Sequence, residues 1–514
     1  MKNLMKNFIK KYLIKTAFIS GLAILQSCTK DFVELNTNPD AVATSTPQYI
    51  FSKSQYDGTA NMLNLLLGTM QYTTSYNDVA GFGSKYVQSQ SPSSAAAFSS
   101  AYPNEINEIG EVIKAVTGDA SKVNLLAEAR IWRVYCFSRL TDLYGDIPYK
   151  QAAQGYNSSI YTPAYDAQKD IYANMLSELE ASAQSLDASK STFGTSDLIY
   201  GGNTAQWKKF AYSLMLRLGM RMTKVDVAAA QTWVTKAIAG GVITADADIA
   251  KVTYVGSGQD INKNPLALNL LNSDYIKADG TSNTEGGKYQ DVFINYLKTN
   301  KDPRLPVISV VYTTGTADTT SANQKGMSAS LSAKPGNFVT YSEPRQNTLL
   351  LLSSPRLVFT AAESYFLLSE AALRGWYSGA AASTLYQNGI SAAVRQWAVI
   401  AGSAGTITTN QIDTYIRYHQ LNTSGTFAQQ MEQIYTQFWV GLFPDAQEVF
   451  ASYRRTGYPA LTPNNYTGNA TGGLIFRRML YPVSEQNLNT ASYQAAIARQ
   501  GADSFLTRIW WDKQ

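Results

Sequence analysis

His419 is the only histidine in the 514-residue chain, so a zinc site or a Ser-His-Asp triad would have to be built around this one side chain. No H-E-x-x-H or G-x-S-x-G pattern occurs. The nearest approach to a phosphate loop, Gly286-Gly287-Lys288-Tyr289, lacks the first glycine at the required spacing and the Ser/Thr after the lysine. A glycosidase needs only two carboxylates at a set separation, and the 38 acidic residues leave that chemistry open. The sequence therefore argues against histidine-, zinc- and phosphate-loop-based catalysis and keeps a surface hydrolase of glycan or peptide as one alternative.

Cys28 is the second residue whose side chain could take part in chemistry, because it follows a basic and then apolar leader. Five lysines and no acid precede an apolar run from Thr16 to Leu25, and the small residue Ser27 stands directly before the cysteine. A run of about ten residues is too short to cross a bilayer, so residues 1–27 are predicted to be a secretory signal peptide. The cleavage region resembles a lipobox, in which the cysteine sulfur receives lipid. Residues 28–40 are then predicted to be a lipidated tether holding the protein on a membrane through Cys28. The alternative is an ordinary signal peptide that happens to contain a cysteine.

Removal of this leader changes the charge and leaves one other cysteine. Five of the 43 basic residues leave with it, so the mature chain has 38 basic and 38 acidic residues and a formal charge near zero. A nucleic-acid partner is therefore not expected, because such binding needs a basic surplus. With Cys28 acylated, Cys136 has no disulfide partner, and an exported chain of this length must depend on its apolar core.

The elements that position these residues are predicted to be mainly helices. From Trp207 to Arg221, apolar residues recur at steps of three and four, which indicates an amphipathic helix. A similar pattern starts at Phe427 and is predicted to end before Pro444, where Asp445 could cap a further helix. Further helices are predicted at 52–67, 104–116, 122–144, 167–185, 227–239, 360–374, 380–397, 410–419 and 484–499. The wide apolar face of 360–374 and its short connection to 380–397 are typical of stacked helical hairpins.

Strands and loops complete this prediction. Residues 305–312 have the pattern of a short strand. Residues 252–287 and 313–347 are rich in Gly, Ser, Asn and Thr and are predicted to be long surface loops, which in compact domains are usually functional or disordered.

Several motifs, spread in order along the chain, resemble those of the SusD/RagB family, and in particular its second SusD-like branch. They are DLYGDIPY at 142–149, WKKFAYSL at 207–214, DPRL at 302–305, AESYFLLSEA at 362–371, YRRTGYP at 453–459, RRMLYP at 477–482 followed by Glu485 and Asn489, and WWD at 510–512. Tyr212, Phe438 and Phe450 depart from the residues common in the family. By their types, these motif residues are predicted to serve the fold: a turn at Gly145 and Pro148, ion pairs or carbonyl contacts for Arg454 and Arg455, and packing for Trp510 and Trp511.

The resemblance implies a fold, a localisation and a function. The expected fold is all-α in the main: a single domain over residues 41–514, with tetratricopeptide-like hairpins supporting a loop-rich half. The expected protein is an outer-membrane lipoprotein facing the cell exterior that binds a nutrient and needs no cofactor or metal. By the same resemblance it would close over a SusC-like, TonB-dependent transporter and deliver the ligand to it. A helical-repeat scaffold that binds no small ligand remains the other alternative to the hydrolase.

The ligand site implied by the resemblance lies on loops beside the early helices. The chain has 33 Tyr and 8 Trp, and flat rings of this kind stack on sugars and also suit peptides. A glycan or oligosaccharide is the first expectation and a peptide the second. The residues predicted to form this aromatic platform are Tyr76, Asn77, Asp78, Phe82, Tyr86, Phe98 and Tyr102, with Tyr275 in the central loop as a weaker candidate.

Overall fold

The structure is a computed structural model that describes residues 46–61, 63–76, 83–87, 91–272, 286–313, 315–464 and 466–514. The leader, Cys28 and the tether predicted for residues 1–40 lie outside the described residues. So do four platform candidates: Asn77, Asp78, Phe82 and Tyr275. The residues from Pro47 to Gln514 make up one compact unit.

Helices form most of the described chain, as the sequence predicts. They are α1 (Pro47–Ala60), α2 (Leu65–Thr69), α3 (Ser91–Ser94), α4 (Ala96–Ala101), α5 (Asn107–Val116), α6 (Val123–Tyr144), α7 (Gly155–Ser158), α8 (Gln168–Ser185), α9 (Thr204–Arg221), α10 (Val227–Gly240), α11 (Pro265–Asn272), α12 (Asp291–Thr299), α13 (Leu305–Ile308), α14 (Ala361–Leu373), α15 (Ala382–Ala401), α16 (Thr409–Tyr418), α17 (Phe427–Gly441), α18 (Ala446–Thr456), α19 (Val483–Leu488) and α20 (Thr490–Gln500). The strands are short and pair antiparallel in twos: β1 (Thr73–Ser75) with β5 (Gly287–Tyr289), β2 (Ile147–Pro148) with β3 (Tyr165–Asp166), β4 (Ala250–Val252) with β8 (Arg356–Phe359), and β6 (Ser309–Val310) with β7 (Glu343–Pro344).

Consecutive long helices pack against each other as hairpins. Helix α9 packs on α10, α14 on α15, and α6 on α8, while α17 lies against α14. The caps follow local sequence: the Thr360 side chain accepts a hydrogen bond from the Glu363 N–H at the start of α14, and Asp445 does the same for the Glu448 N–H in α18. The mainly α-helical prediction with paired hairpins is therefore confirmed.

Three local predictions are wrong in part. Of the predicted strand 305–312, Ser309–Val310 forms β6 and Val311 forms an isolated bridge with Asp318, whereas residues 305–308 are helical because Pro306 lies in the first turn of α13 and its fixed φ suits that position. The predicted helix 52–67 is divided into α1 and α2, and the predicted helix 484–499 is divided at Asn489. The apolar spacing runs through both breaks, so periodicity alone could not show them.

Asp142, in the first sequence motif, joins several helices to the C-terminal segment. Its carboxylate accepts hydrogen bonds from Trp511 Nε1 at 2.9 Å, from Arg221 Nε at 3.3 Å and from the Tyr172 hydroxyl. Its backbone carbonyl accepts from the Arg454 guanidinium. The aspartate, both arginines and Trp511 are all buried. The prediction that these motif residues serve the fold is thus confirmed for this group.

The α14–α15 hairpin depends on a small residue at its contact. A Cβ atom added at Gly389 would lie 2.7 Å from ring atoms of Phe366, which is fully buried. We expect Gly389→Ala to lower the free energy of unfolding by about 1–3 kcal/mol, because overpacking outweighs the better helix propensity of alanine. Chemical denaturation of both proteins measures this. Gly336→Ala is the control, because nothing lies within 4 Å of the added atom there; equal stability changes for the two variants would contradict the close-contact explanation.

Candidate functional site

Tyr76 is positioned by the pairing of two strands that are far apart in sequence. Strand β1 pairs with β5 so that Thr73 lies opposite Tyr289 and Ser75 opposite Gly287. Tyr76 follows β1 directly, and its half-buried ring meets Phe338 edge-on, with 5.4 Å between ring centroids. The first residue of the predicted platform is therefore held by the loop 313–347.

Beneath this contact lies a buried ion pair. The Lys288 and Glu343 side chains are fully buried and form a salt bridge between β5 and β7. Lys288 Nζ also lies 4.7 Å from the centroid of the Phe338 ring. Burial lowers the pKa of Lys288 below its ordinary value, although Glu343 acts in the opposite direction. The pair therefore acts as a fixed support for the ring on which Tyr76 rests.

A second buried lysine connects the same loop to the chain after residue 460. Lys85 Nζ donates a 3.0 Å hydrogen bond to the Ala329 carbonyl and lies 3.9 Å from the centroid of the half-buried Tyr466 ring. The Asn464 amide donates to the same Ala329 carbonyl at 2.6 Å. Three distant segments, which include Lys85, Ala329 and Tyr466, are thereby joined.

A third half-buried tyrosine lies on the same loop. The Tyr341 N–H donates a 3.2 Å hydrogen bond to the Phe338 carbonyl, and Lys325 Nζ lies 4.5 Å from the centroid of its ring. We name the set Tyr76, Lys85, Phe338, Tyr341 and Tyr466 the loop cluster. Its three half-buried tyrosines combine flat apolar faces with hydroxyls, which suits stacking and hydrogen bonding rather than bond breaking.

Tyr86, one of the predicted platform residues, lies in the core. Its ring is fully buried against Phe476, with 5.2 Å between centroids, and its hydroxyl donates a 2.9 Å hydrogen bond to the Thr69 carbonyl. Burial raises the pKa of Tyr86 well above its ordinary value. A ring in this position cannot stack on a surface ligand, so the assignment of Tyr86 to the platform is corrected.

Phe98 and Tyr102 also pack inside the molecule. Phe98 is 3% exposed and contacts Tyr144, Tyr165 and Tyr481. The half-buried Tyr102 lies 4.8 Å from Phe98 between centroids and donates its hydroxyl to the Pro148 carbonyl at 2.7 Å. These two rings pack against the end of α6 and the β2–β3 pair and do not form a ligand surface. Of the described candidates, only Tyr76 belongs to the loop cluster.

Sequence reasoning missed Phe338, Tyr341 and Tyr466. The first two lie in the loop 313–347, whose length and composition are typical of functional or disordered loops and do not point to these residues. Tyr466 lies in the segment TPNNYTGNATGG at 462–473, whose Asn, Gly and Thr content is that of a surface loop. Each ring could have been suspected as an aromatic residue in a polar loop, but its contact with Tyr76, Lys85 or Lys325 could not.

One cavity lies among the described helices and is too small for a ligand. It has a volume of about 40 Å³ and is bordered by Phe359, Glu363, Gln396 and Asp445. This is enough for water but far below the roughly 300 Å³ at which small-molecule sites begin. Over the described ranges, no group of three His, Cys, Asp or Glu side chains is arranged to hold a metal ion. No helix in that part of the chain combines the length and the apolar character needed to cross a membrane.

Comparison with known proteins gives one family and one fold. A family model described as "Starch-binding associating with outer membrane", the second SusD-like family, matches residues 36–482. A solved chitin-binding protein is 28% identical, with a TM-score of 0.79 over 91% of this chain and 100% of its own. A SusD-like protein given as Bacteroidetes AC2a is 26% identical, with a TM-score of 0.79 over 91% and 100% of the two chains.

A more distant structure shows the fold alone. It is a chitin-binding SusD homologue from Flavobacterium johnsoniae, 24% identical, with a TM-score of 0.70 over 91% of this chain and 98% of its own. None of the curated proteins matches the chain. The family match covers most of the sequence, and the mainly helical fold agrees with these structures. The chain belongs to the SusD-like family of starch-binding proteins that associate with the outer membrane.

Proposed function

We propose that this protein is a cell-surface lipoprotein that captures a glycan on its loop cluster and delivers it to a SusC-like, TonB-dependent transporter. The observation that carries the proposal is the loop cluster itself: Tyr76, Tyr341 and Tyr466 lie half-buried on polar loops of a SusD-like scaffold. Half-buried rings of this kind can stack on the apolar face of a pyranose without rearrangement of the core.

A neutral oligosaccharide is the proposed ligand class. Lys85 and Lys288 are buried and engaged with carbonyl groups and with Glu343, so neither is available to bind an anion, and Lys325 beside the Tyr341 ring is an exposed cation. The 28% identical chitin-binding protein makes chitin fragments the first sugars to test. Starch fragments come second, because of the family's description.

Attachment and partnership are proposed from the leader and the family. Lipid on Cys28 would hold the protein at the outer membrane, beside a transporter. Capture without catalysis is proposed because the five residues of the loop cluster present rings, hydroxyls and one buried lysine, groups that suit binding rather than acid–base hydrolysis.

The proposal is tested with the mature protein from Thr29, titrated calorimetrically with chitohexaose, maltohexaose and a set of peptides. Loss of one stacked ring should cost about 1.4 kcal/mol, so Tyr76→Ala and Tyr341→Ala should each weaken binding of the preferred hexasaccharide about tenfold. Tyr161→Ala is the matched control, because that tyrosine is 78% exposed and lies outside the loop cluster.

The outcomes separate the proposed ligand site from its rivals. Unchanged affinity in both Tyr76→Ala and Tyr341→Ala would show that the ligand does not bind on the loop cluster. Binding of peptides and of no saccharide would contradict the proposed ligand class. Absence of any small-ligand binding would favour the scaffold alternative.

A further inference from the structure

A cleft of about 670 Å³ opens between α16 and the chain at 297–306, remote in sequence from most of the loop cluster. Its volume falls within the roughly 300–1,000 Å³ of small-ligand sites. None of its lining residues belongs to the loop cluster. The cleft is therefore a separate opening that the proposed function does not use.

One wall is a polar helix face that carries an exposed ring. Asn410, Gln411, Thr414 and Tyr418 recur at helical spacing along α16 and all line the cleft. Tyr418 is 76% exposed, so its phenol ring presents most of its surface to solvent. An outer helix face usually carries charged or small side chains. The face of α16 that lines the cleft instead offers amides, a hydroxyl and a flat ring.

The opposite wall is fixed to the helix by His419. Nδ1 of its ring lies 2.7 Å from the Tyr415 carbonyl oxygen, and Nε2 lies 3.2 Å from Asn300 Oδ1. Asn300 in turn donates its amide to the Tyr296 carbonyl at 2.8 Å. Next to it, Lys301 has a φ of 51°, a left-handed conformation that non-glycine residues rarely adopt. The two walls are thus joined at a set separation before any ligand arrives.

Most charges around the cleft are already engaged. The Asp302 carboxylate is paired with Arg304 at 2.6 Å, and both side chains are buried. Lys298 Nζ donates to the carbonyls of Ala322 and Gln324 at 3.1 and 2.7 Å. The polar groups that line the opening are mainly amides and hydroxyls, beside the Tyr418 ring and apolar surface that includes Pro303 and Pro306, with Lys301 as an exposed cation. A ligand that matches them carries many hydroxyl groups and no net charge.

We propose that this cleft is a second saccharide site, which takes a neutral oligosaccharide with one sugar ring stacked on Tyr418. The amides of Asn410 and Gln411 and the Thr414 hydroxyl would hydrogen-bond to the sugar hydroxyls. Such a site would let one molecule hold a long glycan at two points, and the gain from the second contact would depend on the spacing between them. The proposed binding of sugar in the cleft can be disproved without disproving its binding on the loop cluster, and the reverse also holds.

Hydrogen exchange tests the cleft separately from the loop cluster. The mature protein from Thr29 is measured alone and with chitohexaose or maltohexaose at concentrations up to solubility. At least one of these sugars should slow exchange of the amides in α16. Tyr418→Ala should raise the sugar concentration needed for half-maximal protection about tenfold. Tyr76→Ala should leave that concentration unchanged. Tyr161→Ala controls for loss of an exposed tyrosine at another place.

Two results would overturn the second site. One is unchanged exchange in α16 with both hexasaccharides. The other is equal protection in Tyr418→Ala and in the parent, which would mean that the ring does not bind the sugar. Loss of all sugar binding in Tyr76→Ala would also count against the cleft while supporting the loop cluster. Protection of α16 together with full affinity in Tyr76→Ala would support the cleft and count against the loop cluster.

Discussion

Replacement of Arg455 by methionine is expected to lower the free energy of unfolding by about 3–5 kcal/mol, because it leaves a buried carboxylate without its main partner. Arg455 and Glu370 are both almost fully buried and form two parallel hydrogen bonds of 2.9 and 2.7 Å. The Tyr435 hydroxyl bridges the same two groups. The interaction joins α14, α17 and α18, so chemical denaturation of Arg455→Met should report a loss across the helical unit.

The pH dependence of the free energy of unfolding also reports on the Arg455–Glu370 pair. Burial alone would raise the pKa of Glu370, but Arg455 and Arg374 lower it to about 2. Since the folded-state pKa lies below the ordinary 4.5, the stabilisation is present above pH 4.5 and is lost as the pH falls toward 2. Arg455→Met should remove most of this acid-side dependence.

Two further variants separate the buried charge from lost packing. Glu370→Gln in the Arg455→Met background removes the buried charge, which Arg374 alone would then have to offset, and keeps an acceptor for Tyr435, so it should recover part of the loss. Arg395→Met is the surface control, because Arg395 and Asp246 are 42% and 32% exposed and such pairs contribute about 1 kcal/mol or less. Equal losses in Arg455→Met and Arg395→Met would contradict this account of the core.

Replacement of Glu128 by glutamine is expected to stabilise the protein, increasingly so as the pH rises. Glu128 is fully buried in α6, its Oε2 accepts only a long 3.4 Å hydrogen bond from the Phe193 N–H, and Oε1 has no partner among the described residues. Burial, with a further contribution from Asp197, raises the pKa of Glu128 from 4.5 to about 8. Asp197 itself accepts hydrogen bonds from the Trp207 indole at 2.7 Å and the Gln55 amide at 2.8 Å.

The sign of the effect follows from proton binding. Between pH 4.5 and 8 the folded state binds more protons at Glu128 than the unfolded chain does, so this group makes the free energy of unfolding fall as the pH rises. In the parent protein, this group should make the free energy of unfolding on the order of 3 kcal/mol smaller at pH 8 than at pH 5, and Glu128→Gln should remove that difference. Denaturation of both proteins at these two pH values measures it, with the exposed Glu432→Gln as a control for net charge. Parallel pH profiles of the parent and Glu128→Gln would contradict the prediction.

The helical frame could be read from the sequence because its signals are local. The helices predicted at 360–374 and 380–397 appear as Ala361–Leu373 and Ala382–Ala401, and the Asp445 cap is in place. Side chains at steps of three and four share a helix face whatever the rest of the fold does. The breaks at Ala60 and Asn489 were missed because they do not interrupt that spacing.

The candidate site could be predicted only in part, because it is built from contacts across the chain. Tyr76 was found from its place in an early loop, but the ring that holds it, Phe338, is more than 250 residues away. Tyr86 and Phe98 look equally available in the sequence, yet Phe476 and Tyr481 cover them. Which aromatic residue in a loop is a support and which is exposed depends on such distant partners, and periodicity carries no information about them.

Titration of the mature protein with chitohexaose and maltohexaose, with mass analysis of the sugar recovered from each saturated mixture, tests the central claim of intact glycan capture most directly. We expect saturable binding of at least one hexasaccharide and recovery of that sugar at its original length. Shortened sugars that accumulate in proportion to protein and time would show a hydrolase, and absence of saturable binding to either hexasaccharide would contradict capture of a neutral glycan.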